Sequence, residues 1–270
     1  MSQPATETIR EYVRERYGAI AEQDDAGEPA GCGCKAAGCC ATEASPTDAT
    51  SSSQLGYSAA DLASVPAGAD LGLGCGNPLA IASIKPGETV LDLGSGAGLD
   101  ALLAARQLAG TGRVLGVDMT PAMIAKARRN AAKAGFANVE FRLGEIEALP
   151  VADASVDLII SNCVVNLSPE KPRVFAEAFR VLKSGGRLAI SDVAATKPLP
   201  DDIRAQLPLI GACIGGATLG DELRAMLTAA GFRRVDIVEK GASRKFIAQW
   251  GSDARIADYI VSAIITAWKP

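Results

Sequence analysis

From Thr89 onward, short apolar runs alternate with longer stretches in which apolar residues recur every three or four positions. Thr89–Leu93 (TVLDL), Arg113–Val117 (RVLGV), Val139–Leu143 and Val156–Ser161 read as strands. Leu99–Leu108 and Pro121–Lys133 read as helices, the second with proline at the first position, where a missing N–H is harmless. Glu170–Leu182 is expected to be helical, with Gly185 and Gly186 stopping it before a strand at Arg187–Ser191. Asp221–Ala230 reads as a helix closed by Gly231, and Arg233–Val238 and Lys245–Gln249 as two final strands. Strand–helix–strand repeats of this kind predict an α/β fold, a mostly parallel sheet with helices on both faces.

Upstream, Ile9, Val13, Tyr17 and Ile20 fall at helical spacing within Glu7–Ala21, so residues 1–21 are expected to form an N-terminal amphipathic helix. Residues 22–54 are rich in small and polar types with almost no large apolar side chains, the composition of a flexible linker. Cys32, Cys34, Cys39 and Cys40 lie inside it. The rest divides into a core, 55–193, and a C-terminal portion, 194–270. In the latter, Ala194–Leu219 is expected to cap the sheet and to move on glycines Gly211, Gly215 and Gly216 around Cys213.

Composition narrows the function. The net charge is −4, and the Lys and Arg residues are scattered; Lys126, Arg128 and Arg129 read as the solvated face of a helix. Nothing resembles a basic stripe for nucleic acid. No apolar run is long enough to span a bilayer, and the N-terminus lacks a signal-peptide core. The expected setting is the cytoplasm, where the seven cysteines stay reduced. Histidine is absent altogether, which removes the commonest general base and neutral metal ligand.

The segment Val90–Asp100 (VLDLGSGAGLD) runs from a strand through spaced glycines into a helix. Such a turn lies at the carboxyl ends of the strands, where open α/β sheets bind ligands. Its spacing is G-x-G-x-G rather than the dinucleotide G-x-G-x-x-G, and Asp92 stands two positions before the first glycine. A carboxylate there repels a pyrophosphate but suits the cationic methionine end of S-adenosylmethionine. Asp118, ending the second strand, is placed to accept both ribose hydroxyls, with Met119 against the adenine face. Gly144–Pro150 (GEIEALP) follows the third strand, where the adenine edge is expected. The pattern resembles the class I methyltransferases, which implies a Rossmann-like sheet of seven strands with one reversed. The expected cofactor-lining set is Asp92, Gly94, Ser95, Gly96, Gly98, Asp118, Met119, Ile146, Glu147 and Asn162. Asp100, Asp157 and Asp192 are read as caps at element ends, without a catalytic part.

Three cysteines lie outside the linker. Cys163 follows the fourth strand at the sheet's carboxyl edge, Cys75 precedes the first strand, and Cys213 belongs to the cap, so all three can converge. Three soft thiolates without histidine suit a thiophilic centre. Trivalent arsenic takes three sulfurs and keeps a lone pair able to attack a sulfonium methyl with no proton to remove. The motifs LGLGCGNP (71–78), SNCVVNLSP (161–169), GEIEALP and SAIITAWKP resemble the bacterial arsenite methyltransferases over nearly all of 57–270. That resemblance implies that Cys75, Cys163 and Cys213 bind arsenic and act as the catalytic thiols. It also implies an arsenite or arsenite–thiol substrate, a thiol reductant such as thioredoxin or glutathione, and successive methylations. An N-terminal cysteine taking part in disulfide exchange in some members finds four candidates in the linker. A monomer is the default expectation, with neither nucleic acid nor membrane as partner. Two readings stand beside it: a methyltransferase acting on carbon, nitrogen or oxygen with a carboxylate or Tyr57 as base, and a non-catalytic arsenite-binding protein on the same scaffold.

Overall fold

The computed structural model describes residues 4–25, 52–248, 250 and 255–270. Cys32, Cys34, Cys39 and Cys40, and most of the expected linker, lie outside the described residues. The first element is helix α1 (Thr6–Asp25), five residues longer than its apolar spacing indicated. After residue 52 the order is β1 (Thr89–Leu93), α2 (Leu99–Gln107), β2 (Arg113–Asp118), α3 (Pro121–Ala134), β3 (Val139–Leu143), β4 (Val156–Asn162), α4 (Lys171–Val181), β5 (Leu182–Ala195), β6 (Thr218–Leu219), α5 (Gly220–Ala229), β7 (Arg233–Lys240) and β8 (Ile260–Trp268).

Seven strands form one sheet in the order β3-β2-β1-β4-β5-β8-β7, and the two-residue β6 pairs with β5. Neighbours are parallel except that β8 runs antiparallel to both β5 and β7. This is the mostly parallel, seven-stranded α/β sheet with one reversed strand. Alternation along each strand sends side chains to two cores. Leu91, Leu115, Ile159 and Leu188 meet Val174 and Phe175 of α4 and Leu223 and Leu227 of α5 on one face. Val90, Val114, Leu158 and Ile160 meet Leu102 of α2 and Ala127 of α3 on the other.

Several local expectations fail. The strand expected at Lys245–Gln249 is absent from its described residues: Arg244–Ile247 is a helical turn, and Phe246 packs on Trp250, four residues on, with ring centroids 5.6 Å apart. The reversed strand is instead Ile260–Trp268, whose burial on both faces hides the alternation that marks a half-exposed strand. Strand β5 runs through Gly185 and Gly186 rather than starting after them, and Asp192 lies within it rather than following it. Lys126 is buried, at 3% exposure, so that face of α3 is not wholly solvated.

The ends of β4 and β5 shape the site. β4 stops pairing at Asn162 opposite Ser191, while β5 continues four residues further to Ala195. Cys163 turns away in the left-handed region at φ 59°, its N–H still donating to the Ser191 carbonyl at 2.8 Å. α1 lies over this edge. Ile9, Val13 and Tyr17 pack with Met119, Leu167, Leu207 and Ile210, and Ala21 with Ala97 and Met123.

Candidate functional site

A cleft at the carboxyl ends of β1, β2 and β4 encloses about 1090 Å³ of free space, open solvent at its mouth included. Asp92, Gly94, Ser95, Gly96, Asp118, Met119, Ile146, Glu147 and Asn162 all line it. Gly98 does not. It precedes α2 at φ +100°, and a β-carbon there would meet the Phe141 ring at 3.0 Å, so it serves helix–sheet packing. Gly94, at φ +70°, has no room for a side chain because Val164 would lie 2.4 Å from its β-carbon. The turn is fastened by backbone groups: Gly94 and Ser95 N–H donate to the Val117 carbonyl, and Gly96 N–H donates to Asp118 Oδ2 at 2.9 Å.

Three carboxyls crowd the floor. Burial and the neighbouring Asp100 and Asp118 push Asp92 well above the usual carboxylate range. Burial raises Asp118 against hydrogen bonds from Thr120 and Gly96. Burial likewise pushes Asp100 up to about 6, against hydrogen bonds from Tyr57 and Asn162. Asp92 Oδ2 and Ser95 Oγ are buried and find no hydrogen-bond partner among the described residues. Unpartnered buried polar atoms are costly, and an acidic, glycine-lined floor of this kind fits a cationic ligand that donates hydrogen bonds. The donor set present is therefore suited to S-adenosylmethionine.

Asp100 is not simply a helix-opening residue. Tyr57 donates to its Oδ1 at 2.6 Å, and Asn162 Nδ2 lies 3.2 Å from its Oδ2. Burial and the Asp100 charge hold the Tyr57 hydroxyl well above its ordinary value, a poor setting for a general base. Asp157 joins strand starts, accepting the Thr89 N–H and pairing with Lys183 at 2.7 Å.

Behind the cleft lies a nest of free thiols. Cys75, Cys163 and Cys213 are 1%, 4% and 2% exposed and share one cluster, and of the three it is Cys163 that lines the cleft. The Cys75 and Cys163 sulfurs and an Asp192 carboxylate oxygen lie within 4.8 Å of one another. The Cys213 thiol donates to the Cys163 carbonyl at 2.8 Å, and the Cys163 thiol and the Tyr17 hydroxyl both act on its ionisation. Cys163 is thus the central sulfur. Both Cys163 and Cys213 hold left-handed backbone, φ 59° and 62°, a strained conformation for side-chain-bearing residues that concentrates at functional sites. Burial pushes Cys75 up to about 11. Burial also raises Cys163, and the Cys163 neighbour followed by burial raises Cys213, so all three are thiols at neutral pH.

Sequence reasoning missed the surroundings of the nest. Asp192, read as a cap, is buried beside two of the thiols. It accepts from Val193 N–H at 2.7 Å and from Asn166 Nδ2 at 2.9 Å and N–H at 3.2 Å. Burial pushes it up to about 6 and lowers nearby Lys171 to about 8. The glycines around Cys213 are sites of close approach. A β-carbon on Gly216 would fall 1.9 Å from the Asn166 carbonyl, and one on Gly211 2.8 Å from Tyr12. α1 also contributes Arg10, Val13 and Tyr17 to the cleft. It is clamped there by Arg10 to Glu170 at 2.5 Å and Glu147 at 3.7 Å, and by Arg14 to Glu145 at 3.3 Å. The apolar face of α1 announced burial, but nothing local names the surface it covers.

A family model described as a methyltransferase domain matches residues 84–231. The chain is 55% identical over 266 residues to an arsenite methyltransferase of Halobacterium salinarum, covering 98% of this chain and 67% of that protein. It is 44% identical over 173 residues to an arsenite methyltransferase of Aquipseudomonas alcaligenes, covering 62% of this chain and 49% of that protein. The chain therefore spans about two thirds and one half of these relatives. Among solved structures it resembles an arsenic (III) S-adenosylmethionine methyltransferase from Chlamydomonas reinhardtii, with a TM-score of 0.62 and 36% identity, covering 78% of this chain and 72% of that one.

Proposed function

The chain belongs to the arsenite methyltransferase family, and from that premise we propose that it transfers methyl groups from S-adenosylmethionine to trivalent arsenic held by Cys75, Cys163 and Cys213. The observation that carries the reading is the buried thiol nest, whose central sulfur, Cys163, also lines the cofactor cleft. Arsenite enters as the neutral trihydroxide, and each thiol displaces one hydroxide while its proton leaves in the resulting water. Thiols held protonated by burial suit this exchange, and no general base is needed in a chain without histidine.

S-adenosylmethionine, when bound, supplies an electrophilic methyl group on a sulfonium. Asp92 and the glycine turn would hold its cationic end, Asp118 its ribose, and Met119, Ile146 and Glu147 its adenine. Cys163 fixes arsenic at the boundary between nest and cleft, so that the lone pair left by three sulfur ligands meets the methyl group by proximity. α1 and the burial around it keep water out. Arsenic raised to the pentavalent state returns to the trivalent one at the expense of a thiol reductant such as thioredoxin or glutathione, in a reducing cytoplasm where the protein acts as a monomer. Among the described residues no helix is long and apolar enough to cross a membrane.

The test is incubation of purified protein with arsenite, S-adenosylmethionine and a thiol, followed by identification of the arsenic species. Methylated arsenic is expected from the native chain. Cys163→Ser or Cys213→Ser should abolish it while cofactor still binds. Unimpaired methylation by both variants overturns the thiol assignment, and tight arsenite binding without product favours the non-catalytic reading.

A further inference from the structure

Cys75 lies behind the cleft, and the Asn162 side chain, which lines the cleft, reaches it by hydrogen bonds. Asn162 Oδ1 accepts the Cys75 N–H at 3.0 Å and lies 3.9 Å from its thiol. On the other side, Asn162 Nδ2 finds three acceptors: the Gly76 carbonyl at 2.8 Å, the Tyr57 hydroxyl at 2.9 Å and Asp100 Oδ2 at 3.2 Å. An amide nitrogen carries two protons, so these three acceptors compete.

The contacts around Cys75 transmit any shift of that amide. A β-carbon on Gly74 would fall 2.7 Å from Asn162 Nδ2, and one on Gly76 2.0 Å from Ser191 Oγ. Residues 74–76 are therefore pressed between the ends of β4 and β5. The Cys75 carbonyl is further fastened by the Ser262 hydroxyl at 2.8 Å.

We infer that Asn162 and Tyr57 are positioning residues that couple occupancy of the methionine end of the cofactor cleft to the Cys75 thiol, so that arsenite and cofactor bind cooperatively. The coupling has two states. Without a cation in the cleft, the neighbouring Asp100 and Asp92 carboxyls raise one another's energy, and Asp100, at 3.2 Å the farthest of the three acceptors, still takes a share of the Asn162 amide. A cationic group beside them satisfies Asp100, and the Asn162 protons go to Tyr57 and the Gly76 carbonyl, which tightens the turn bearing Cys75. A ligand shifts such an equilibrium only through contacts that differ between the two states, and competition at Nδ2 is such a difference. The effect is reciprocal, so arsenite also tightens the cofactor.

The inference rests on the arsenic reading, and its test separates the two. Arsenite affinity is measured by calorimetry with and without saturating S-adenosylhomocysteine, which retains the amino group and cannot methylate. The native protein should bind arsenite about tenfold more tightly with it. In Tyr57→Phe that ratio should fall close to one, and Asn162→Ser should do the same. Each variant is first shown by calorimetry to bind S-adenosylhomocysteine, because loss of that site would itself bring the ratio to one. Native protein that binds arsenite equally in both conditions overturns the coupling and leaves the arsenic reading standing. A full ratio in Tyr57→Phe overturns the assigned route. A native protein with no arsenite affinity in either condition sinks the arsenic reading itself.

Discussion

Replacing Asp192 by asparagine should stabilise the ligand-free protein at neutral pH. Asp192 is 2% exposed, and burial pushes its carboxyl up to about 6 against hydrogen bonds from Val193 and Asn166 and the attraction of Lys171. A carboxyl with a folded pKa above its unfolded one favours the protonated fold. That contribution is whole below the unfolded value and is lost as pH rises through the folded one. A shift of about two units costs about 3 kcal/mol once the group is charged in both states. Asparagine keeps an oxygen for the Val193 N–H and Asn166 Nδ2, at 2.7 and 2.9 Å, but turns an amide toward the Asn166 N–H that now lies 3.2 Å from Oδ2. That lost bond costs about 1 kcal/mol. The balance is a gain of about 2 kcal/mol, or about 6 °C in the unfolding midpoint for a chain of this size. Below about pH 4 the acid is protonated in both states and the gain disappears. Thermal unfolding followed by circular dichroism, without ligand, at neutral and acid pH reads both quantities. A variant less stable at neutral pH, or a difference that is the same in acid, refutes the account.

Cys75, pushed up to about 11 by burial, should react with iodoacetamide about a hundredfold more slowly than an ordinary thiol at mildly alkaline pH. Peptide mass spectrometry checks it, and labelling at the rate of glutathione contradicts it. Asp192 adds to the elevation of both Cys75 and Cys163, so Asp192→Asn should accelerate alkylation of both. Gly94→Ala places a β-carbon 2.4 Å from Val164 at φ +70°; urea titration should show a loss of about 2 kcal/mol or more, and calorimetry a loss of cofactor binding. Native stability in that variant would show that Val164 yields easily. Arg10→Ala removes the pairs to Glu170 and Glu147 and should free α1 by about 1 kcal/mol, seen as roughly fivefold faster amide exchange across it. Unchanged exchange would mean that the apolar face alone holds the helix.

Much of the fold was readable along the chain because its signals are local. TVLDL and RVLGV are apolar runs of strand length, Pro121 opens a helix, and Gly94 and Gly96 mark a turn that only small residues make. Where burial is two-sided the signal fades: Ile260–Trp268 sits between β5 and β7, and its face-to-face pattern is lost. Lys245–Gln249 shows the converse, a short mixed run whose helical turn depends on Phe246 meeting Trp250. Among the candidate site residues, Asp92, Asp118 and Cys163 were legible because each stands at or beside the carboxyl end of a strand. Arg10, Tyr17, Asp100 and Asp192 were not, because their significance comes from partners far away in sequence.

The strand–turn–helix at Val90–Asp100 and the acidic residues around it follow from nearest neighbours and periodicity, so the linear chain determined that a glycine turn beside carboxylates stands at this sheet edge. Only the tertiary structure decided that α1 closes the cleft, that Cys163 stands between Cys75 and Cys213, and that a carboxyl within β5 shares their nest. Those facts depend on contacts between segments separated by tens to hundreds of residues. Such contacts are set by packing and by the depth of burial, and neither is encoded in any single stretch of sequence.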